Sequence, residues 1–305
     1  MADRKRKEKS HVSIIGAGRL GTALARALAE QGYPIRSVVA RRLQTARKAA
    51  KLLDNKAAKD LDANAAKLLD DKTKAYAANQ IGLLPQADLF LISTPDDQIA
   101  DVTTKLASLD YDRAPTVLHT SGALSSAVLS PLRSKGWSTG SMHPLISVTD
   151  PQTPIAGAFW CVEGDQRAVR LAKTLVRDLG GTSFSINSAE KPLYHAAAVM
   201  TAGHVTALFD VALEMLVACG LTRKTARRIL QPLLASTTRN LETKDPAQAL
   251  TGTFSRGDVE TVKRHLAALK DHKLADALEL YCKLGKRSLK LTKENPRITR
   301  ILDEC

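Results

Sequence analysis

Lys191 and His195 stand four residues apart in the run KPLYH, so a helix there would set both on one face. A cation beside an imidazole can orient a substrate and hand it a proton. Partial burial would lower the lysine pKa, which suits proton transfer. Three other segments offer comparable groups. His119-Thr120-Ser121-Gly122 follows an apolar run, and Ser121 with its loop amides could hold a substrate carboxylate or a cofactor carboxamide. Met142-His143-Pro144 offers His143 as a substrate ligand or general acid. Thr251-Gly252-Thr253 leads into Arg256-Gly257-Asp258, a loop able to present Arg256 to an anionic substrate. Hydride transfer to a C=O or C=N needs a proton donor and hydrogen-bonding or positive groups that polarise the acceptor. Each segment also has a purely structural reading. Ser121 could sit in a turn, His143 could be a satisfied buried histidine, Lys191 could lie on an ordinary helix surface, and Arg256 could simply pair with an Asp258 cap.

A nucleotide site is written more firmly. Gly16-Ala17-Gly18-Arg19-Leu20-Gly21 follows the apolar run HVSII and opens a helical pattern that stops at Gly32. In that context the first glycine allows the tight turn. The second admits a pyrophosphate against the backbone, and the third lets helix and sheet pack closely. The helix N-terminus adds free N–H groups and the positive end of a dipole. The next strand, IRSVVA, ends in Ala40-Arg41-Arg42, where NAD binders usually carry an acid for the ribose 2′-hydroxyl. Two guanidinium groups and no carboxylate predict NADP(H), with Arg41 the better placed. Thr94 and Pro95 end a central strand, where ligands of such folds bind, and His119 ends the next one.

The elements that must carry these groups alternate in the first half. Strands are expected at 11–15, 35–40, 87–94, 116–122, 138–148, 158–164 and 182–186, with helices at about 125–134 and 165–179. Residues 41–79 read as one or two exposed amphipathic helices. From 189 onward only helical patterns remain, over 189–219, 222–241, 246–251, 258–270 and 272–292. The expected fold class is α/β: a Rossmann doubly wound parallel sheet over 11–187, then an all-α domain over 188–305, after a disordered basic tail at 1–10.

The net charge is +14, and Arg4, Lys5, Arg6, Lys7 and Lys9 supply part of it. Such a balance attracts anionic ligands, a phosphorylated cofactor among them. Aromatics make up only 4% of the chain, too few for a stacking platform, so nucleic acid is an unlikely partner. Cys161, Cys219, Cys282 and Cys305 show no metal-ligand spacing and are expected as reduced thiols of a cytoplasmic protein. The apolar stretch 195–219 carries His204, Asp210 and Glu214, which argues for a buried helix, the core of a homodimer, rather than a membrane span.

The motifs GAGRLG, STPDDQI, HTSGALSS, MHPL, KPLYHAAA and TGTFSRGDVETVKRHLAAL together resemble a family of Rossmann-like NADP oxidoreductases with an adjoining helical domain of unknown function. That family is similar to pyrroline-5-carboxylate reductases and to the 6-phosphogluconate and β-hydroxyacid dehydrogenases, and some relatives act like ketopantoate reductases. The resemblance spans about residues 11–275. It implies NADP(H) between the two domains, dimerisation through the helical one, and a small carbonyl or imine acid as substrate. In the β-hydroxyacid group a catalytic lysine is followed four residues later by asparagine. Lys191 matches the lysine, but His195 takes the asparagine place. Ala202-Gly203 stands where the family often has Ser-Asn, and Thr251-Gly252-Thr253 where it often has Thr-Gly-Pro. A cofactor-binding sensor or scaffold without turnover is the alternative reading.

Overall fold

A computed structural model describes residues 9–57, 72–292 and 295–304. Arg4 to Lys7, Cys305 and the centre of the 41–79 stretch lie outside the described residues. Lys9, expected in the basic tail, is instead anchored: its ammonium pairs with Asp178 and lies 4.3 Å from the centroid of the Tyr33 ring.

Within residues 9–199, short apolar strands alternate with helices. The strands are β1 (Val12–Ile15), β2 (Ile35–Ala40), β3 (Lys74–Ala77), β4 (Leu89–Ile92), β5 (Thr116–His119), β6 (Ser138–Leu145), β7 (Phe159–Gly164) and β8 (Thr182–Phe184). The helices are α1 (Arg19–Glu30), α2 (Leu43–Ala57), α3 (Asp96–Ala107), α4 (Ser130–Ser134), α5 (Gln166–Asp178) and α6 (Lys191–Thr201). The strands form one sheet in the order β3-β2-β1-β4-β5-β6-β7-β8. Its first six strands have the crossover order of a dinucleotide-binding fold. All neighbours are parallel except β6 and β7, which pair antiparallel.

The strands are continuously apolar because both faces are covered. Val12, Ile14, Leu89 and Leu91 feed one core, whereas Ile15, Phe90 and Ile92 feed the other. Burying each such side chain fully is worth about 1.5–3 kcal/mol. Asp165 starts α5 by accepting from the amides of Arg167 and Ala168 at 3.1 and 3.0 Å.

The remaining unit, Met200–Cys305, is helical. It contains α7 (Gly203–Ala218), α8 (Arg223–Thr243), α9 (Pro246–Ala249), α10 (Thr253–Arg256), α11 (Val259–Asp271), α12 (Ala275–Leu289) and α13 (Pro296–Asp303). Val262, Leu266, Cys282, Leu289, Ile298 and Leu302 make its small core.

Several expectations change. The 41–79 stretch holds strand β3 as well as helix α2, and the region 125–134 is a 3-10 turn followed by the short α4. The division between compact units falls after Val199, inside α6, not before it. The helix expected over 189–219 is interrupted at Ala202 (φ −108°, ψ −65°). It is also not buried within the chain: Leu193, Met200 and Leu208 are exposed. By length and composition alone the span Ser188–Ala218 could cross a membrane. Cys161 and Cys219 are free thiols, whereas Cys282 is disulfide-bonded and so departs from the expected set of reduced cysteines.

Candidate functional site

The turn after β1 follows its sequence closely. Gly16 has φ +108°, and a Cβ there would stand 2.5 Å from the Ser93 backbone. A Cβ on Gly21 would overlap the Gly16 carbonyl oxygen. Gly18 is the opposite case, because nothing lies within 4 Å of its Cβ position. The turn is therefore closed on its packing side and open at the α1 N-terminus, where no side chain caps the first-turn amides. Ala17 is buried, and Leu20 packs against the core from α1. Arg19 is exposed at the same helix end.

β2 ends at Ala40, and Arg41 and Arg42 follow it, exposed, at the start of α2. Among the described residues neither guanidinium has a hydrogen-bond or ion-pair partner. Ser37 faces inward and bonds Ser13 Oγ at 2.8 Å, so it cannot reach a ligand beside the arginines.

The ends of β4 and β5 meet next to this turn. Thr94 Oγ1 is buried without a partner among the described residues, and Pro95 holds the N-cap position of α3. His119 is fully buried, with its Nδ1 accepting from the Ser121 amide at 3.2 Å. Burial, then the nearby Lys191 charge, hold its pKa down at about 3. The Ser121 hydroxyl is committed within the chain. It donates to Asp96 Oδ2 at 2.8 Å and accepts from the amides of Ala123 and Leu124. Its geometry is that of a loop clamp.

Lys191, at the start of α6, is fully buried. Its Nζ donates to the Ser121 carbonyl at 3.0 Å and to Ser141 Oγ at 2.6 Å. Burial lowers its pKa, opposed by the charges of Glu163, Cys161 and Asp96. The ammonium thus fastens the Ser121-Gly122 turn to β6.

Two imidazoles converge on that turn. A Cβ on Gly122 would overlap His195 Nδ1 and stand 2.8 Å from His143 Nε2. The two rings are edge-to-face with centroids 5.5 Å apart. His143 Nδ1 is hydrogen-bonded to the Tyr194 hydroxyl at 2.7 Å. Burial first, then the His195 and Lys191 charges, push the His143 pKa down to about 4. His195 Nδ1 is buried without a partner among the described residues. So the structure brings Ser121, Gly122, His143, Lys191 and His195 together, all within the first compact unit. Arg256 lies in the helical unit and grips Asp258 Oδ2 through Nε at 3.0 Å and Nη2 at 2.8 Å.

Residues 75–144 match the family model of a Rossmann-like domain, and residues 158–288 match that of the domain of unknown function DUF2520. The chain carries a Rossmann-like domain followed by a DUF2520 domain. Thr94, Ser121 and His143 fall in the first match, and Lys191, Tyr194 and His195 in the second. Three solved structures show the same fold. A Bacteroides fragilis protein described as a candidate NADP oxidoreductase has a TM-score of 0.73 at 22% identity, covering 93% of this chain and 99% of that one. A pyrroline-5-carboxylate reductase from Coxiella burnetii has a TM-score of 0.56 at 16% identity, covering 93% and 99%. A reductive aminase from Aspergillus terreus, in complex with NADPH and ethyl levulinate, has a TM-score of 0.60 at 16% identity, covering 97% and 99%. No curated protein matches the chain.

Sequence reasoning passed over Tyr194 although it sits between the two residues singled out in KPLYH. Helical spacing put Lys191 and His195 on one face and gave their neighbour no role. Only the position of β6 shows that its hydroxyl meets His143. Asp96 reads in sequence as a helix cap, whereas the N-cap position falls on Pro95 and the Asp96 carboxylate accepts a hydrogen bond from the Ser121 hydroxyl.

The two depressed histidines carry a stability signature. A histidine whose folded pKa lies below its unfolded value of about 6.5 binds fewer protons when folded, so stability is lost as pH falls through that window. His119 and His143 should each contribute a slope of up to about 1.4 kcal/mol per pH unit below pH ~6.5. Urea unfolding between pH 7 and pH 4.5 measures it. His119→Asn should flatten the curve, and an unchanged slope in that variant would remove His119 as a cause.

Proposed function

We propose that the chain is an NADP(H)-dependent oxidoreductase that moves hydride to or from a small carbonyl or imine acid. One observation carries the reading. An open glycine turn and an orphaned Thr94 hydroxyl lie at the strand ends that also lead to the two imidazoles around Gly122. The residues present fit the cofactor. Gly18 leaves the α1 N-terminus accessible to a pyrophosphate, and Arg41 and Arg42 offer exposed guanidinium groups for a 2′-phosphate. When bound, the nicotinamide supplies or receives the hydride.

The protein's own groups then do three things. His143 and His195 address the acceptor atom of the substrate beside Gly122. Lys191 holds the turn that brings them to that point, as a positioning group. Ser121 and Asp96 lock the same turn from its other side. The likeness in fold to a pyrroline-5-carboxylate reductase and a reductive aminase supports the imine end of the substrate range. The exposed apolar residues on α7 and α8, including Leu208, Val217, Ile229 and Leu233, support a homodimer covering that face.

NADPH should bind at least about tenfold tighter than NADH, and replacing Arg41 and Arg42 together by Ala should erase most of the difference. Equal affinities in the intact protein would sink the cofactor assignment. Turnover is read as NADPH consumption against 2-oxo acids, semialdehydes and cyclic imines. Tight NADPH binding with no consumption on any of them would leave a cofactor-binding sensor in place of the enzyme.

A further inference from the structure

The contact between Tyr194 and His143 decides which nitrogen of the imidazole carries hydrogen. Burial raises the phenol pKa, and His143 is held down at about 4, so both groups are neutral near pH 7. One hydrogen then lies between Tyr194 Oη and His143 Nδ1 over their 2.7 Å separation. An imidazole nitrogen lone pair is a stronger acceptor than a phenol oxygen, and the phenol is the stronger acid of the two neutral groups. No other partner of the Tyr194 hydroxyl exists among the described residues. The phenol therefore donates, Nδ1 accepts, and the ring hydrogen is left on Nε2. Nε2 is the atom turned towards Gly122, where a Cβ would stand 2.8 Å away.

We propose that Tyr194 is a positioning residue that fixes His143 as the Nε2–H tautomer, so that the imidazole presents a hydrogen-bond donor to the substrate's acceptor atom beside Gly122. The ring of Tyr194 is held independently of its hydroxyl. It packs edge-on against Phe184 at 5.9 Å and against His143 at 5.6 Å between centroids. Tyr194→Phe therefore keeps the packing and removes only the donor. His195 complements the arrangement. Its buried Nδ1, without a partner among the described residues, packs against the same glycine, so both rings close on that turn. A neutral imidazole N–H can serve as an electrophile in its own right, without an imidazolium.

The tautomer follows from the Tyr194 contact and the neutrality of both groups, whereas its effect on turnover rests on the oxidoreductase reading. Two readouts keep these apart. Long-range 1H–15N spectra of the full-length protein labelled at histidine ring nitrogens, at pH 7.5, report the tautomer, with His143→Gln assigning the signals. The wild type should show His143 protonated at Nε2. Tyr194→Phe should release the ring to a mixture of tautomers and orientations. In that variant kcat should fall about tenfold while the NADPH Kd stays unchanged. A wild-type ring protonated at Nδ1 would overturn the proposal, as would a Tyr194→Phe protein with unaltered His143 signals. An Nε2–H wild type without any turnover would leave the tautomer standing and defeat the oxidoreductase reading instead.

Discussion

Lys191→Ala should lower the folding free energy by about 4 kcal/mol, and Lys191→Met by roughly half as much. Three effects act at this position. Truncation to alanine leaves a cavity where a fully buried four-carbon stem stood. It also strips the hydrogen bonds from the Ser121 carbonyl and from Ser141 Oγ, both enclosed in the β5–β6 region. A buried polar atom that loses its stronger partner costs about 1–3 kcal/mol, and these two keep only the 3.4 Å bond from Ser141 Oγ to the Ser121 carbonyl. Against these losses stands the relief of no longer burying an amine, which burial already destabilises in its charged form. Methionine fills the cavity and keeps that relief, so only the hydrogen-bond loss remains. Urea unfolding of the three proteins at pH 7 measures the difference. A Lys191→Ala variant within about 1 kcal/mol of wild type would show that the turn does not depend on the ammonium. If such a stable variant also bound NADPH normally and lost turnover, Lys191 would move from holding the turn to taking part in the chemistry.

That distinction marks the limit of what the sequence discloses. The glycine turn was legible because each glycine answers a local constraint: a positive φ at Gly16, a close approach at Gly21, an open backbone at Gly18. The buried parallel strands were legible as continuous apolar runs, since both faces are covered. Edge strand β3 was not, because Lys74-Ala75-Tyr76-Ala77 sits in a run of alanine, lysine and leucine that reads as helix. Its strand state comes from pairing with β2, a tertiary effect. The site divides in the same way. The spacing of Lys191 and His195 was visible, but whether a lysine points at solvent, substrate or a carbonyl depends on a strand fifty residues earlier in the chain. Ser121 illustrates the point again. Its residue type suits a ligand, yet its proton is spent on Asp96, which only the meeting of α3 with the β5 loop arranges. Arg256 and Asp258 had a local solution available to them two residues apart, and they adopted it.

Gly18 and Gly21 give a second large and separable effect. Gly21→Ala should destabilise the protein by about 3 kcal/mol, because the new methyl would overlap the Gly16 carbonyl oxygen and crowd Ser93 Cβ at 3.2 Å. Backbone cannot yield there as a flexible side chain could. In a compact unit the size of Met1–Val199 such a loss corresponds to a fall in Tm of roughly 6–12 °C. Gly18→Ala should stay within about 1 kcal/mol of wild type, since its backbone is in the β region and nothing stands within reach of the added carbon. Its cost should appear in the ligand. A methyl at the α1 N-terminus occupies the space a pyrophosphate needs, so NADPH affinity should fall at least about tenfold. Differential scanning calorimetry and titration calorimetry on the two variants separate the effects. Full NADPH affinity in a folded Gly18→Ala protein would remove the turn from the nucleotide site. An unaltered Tm in Gly21→Ala would contradict the close helix–sheet packing that the motif supplies.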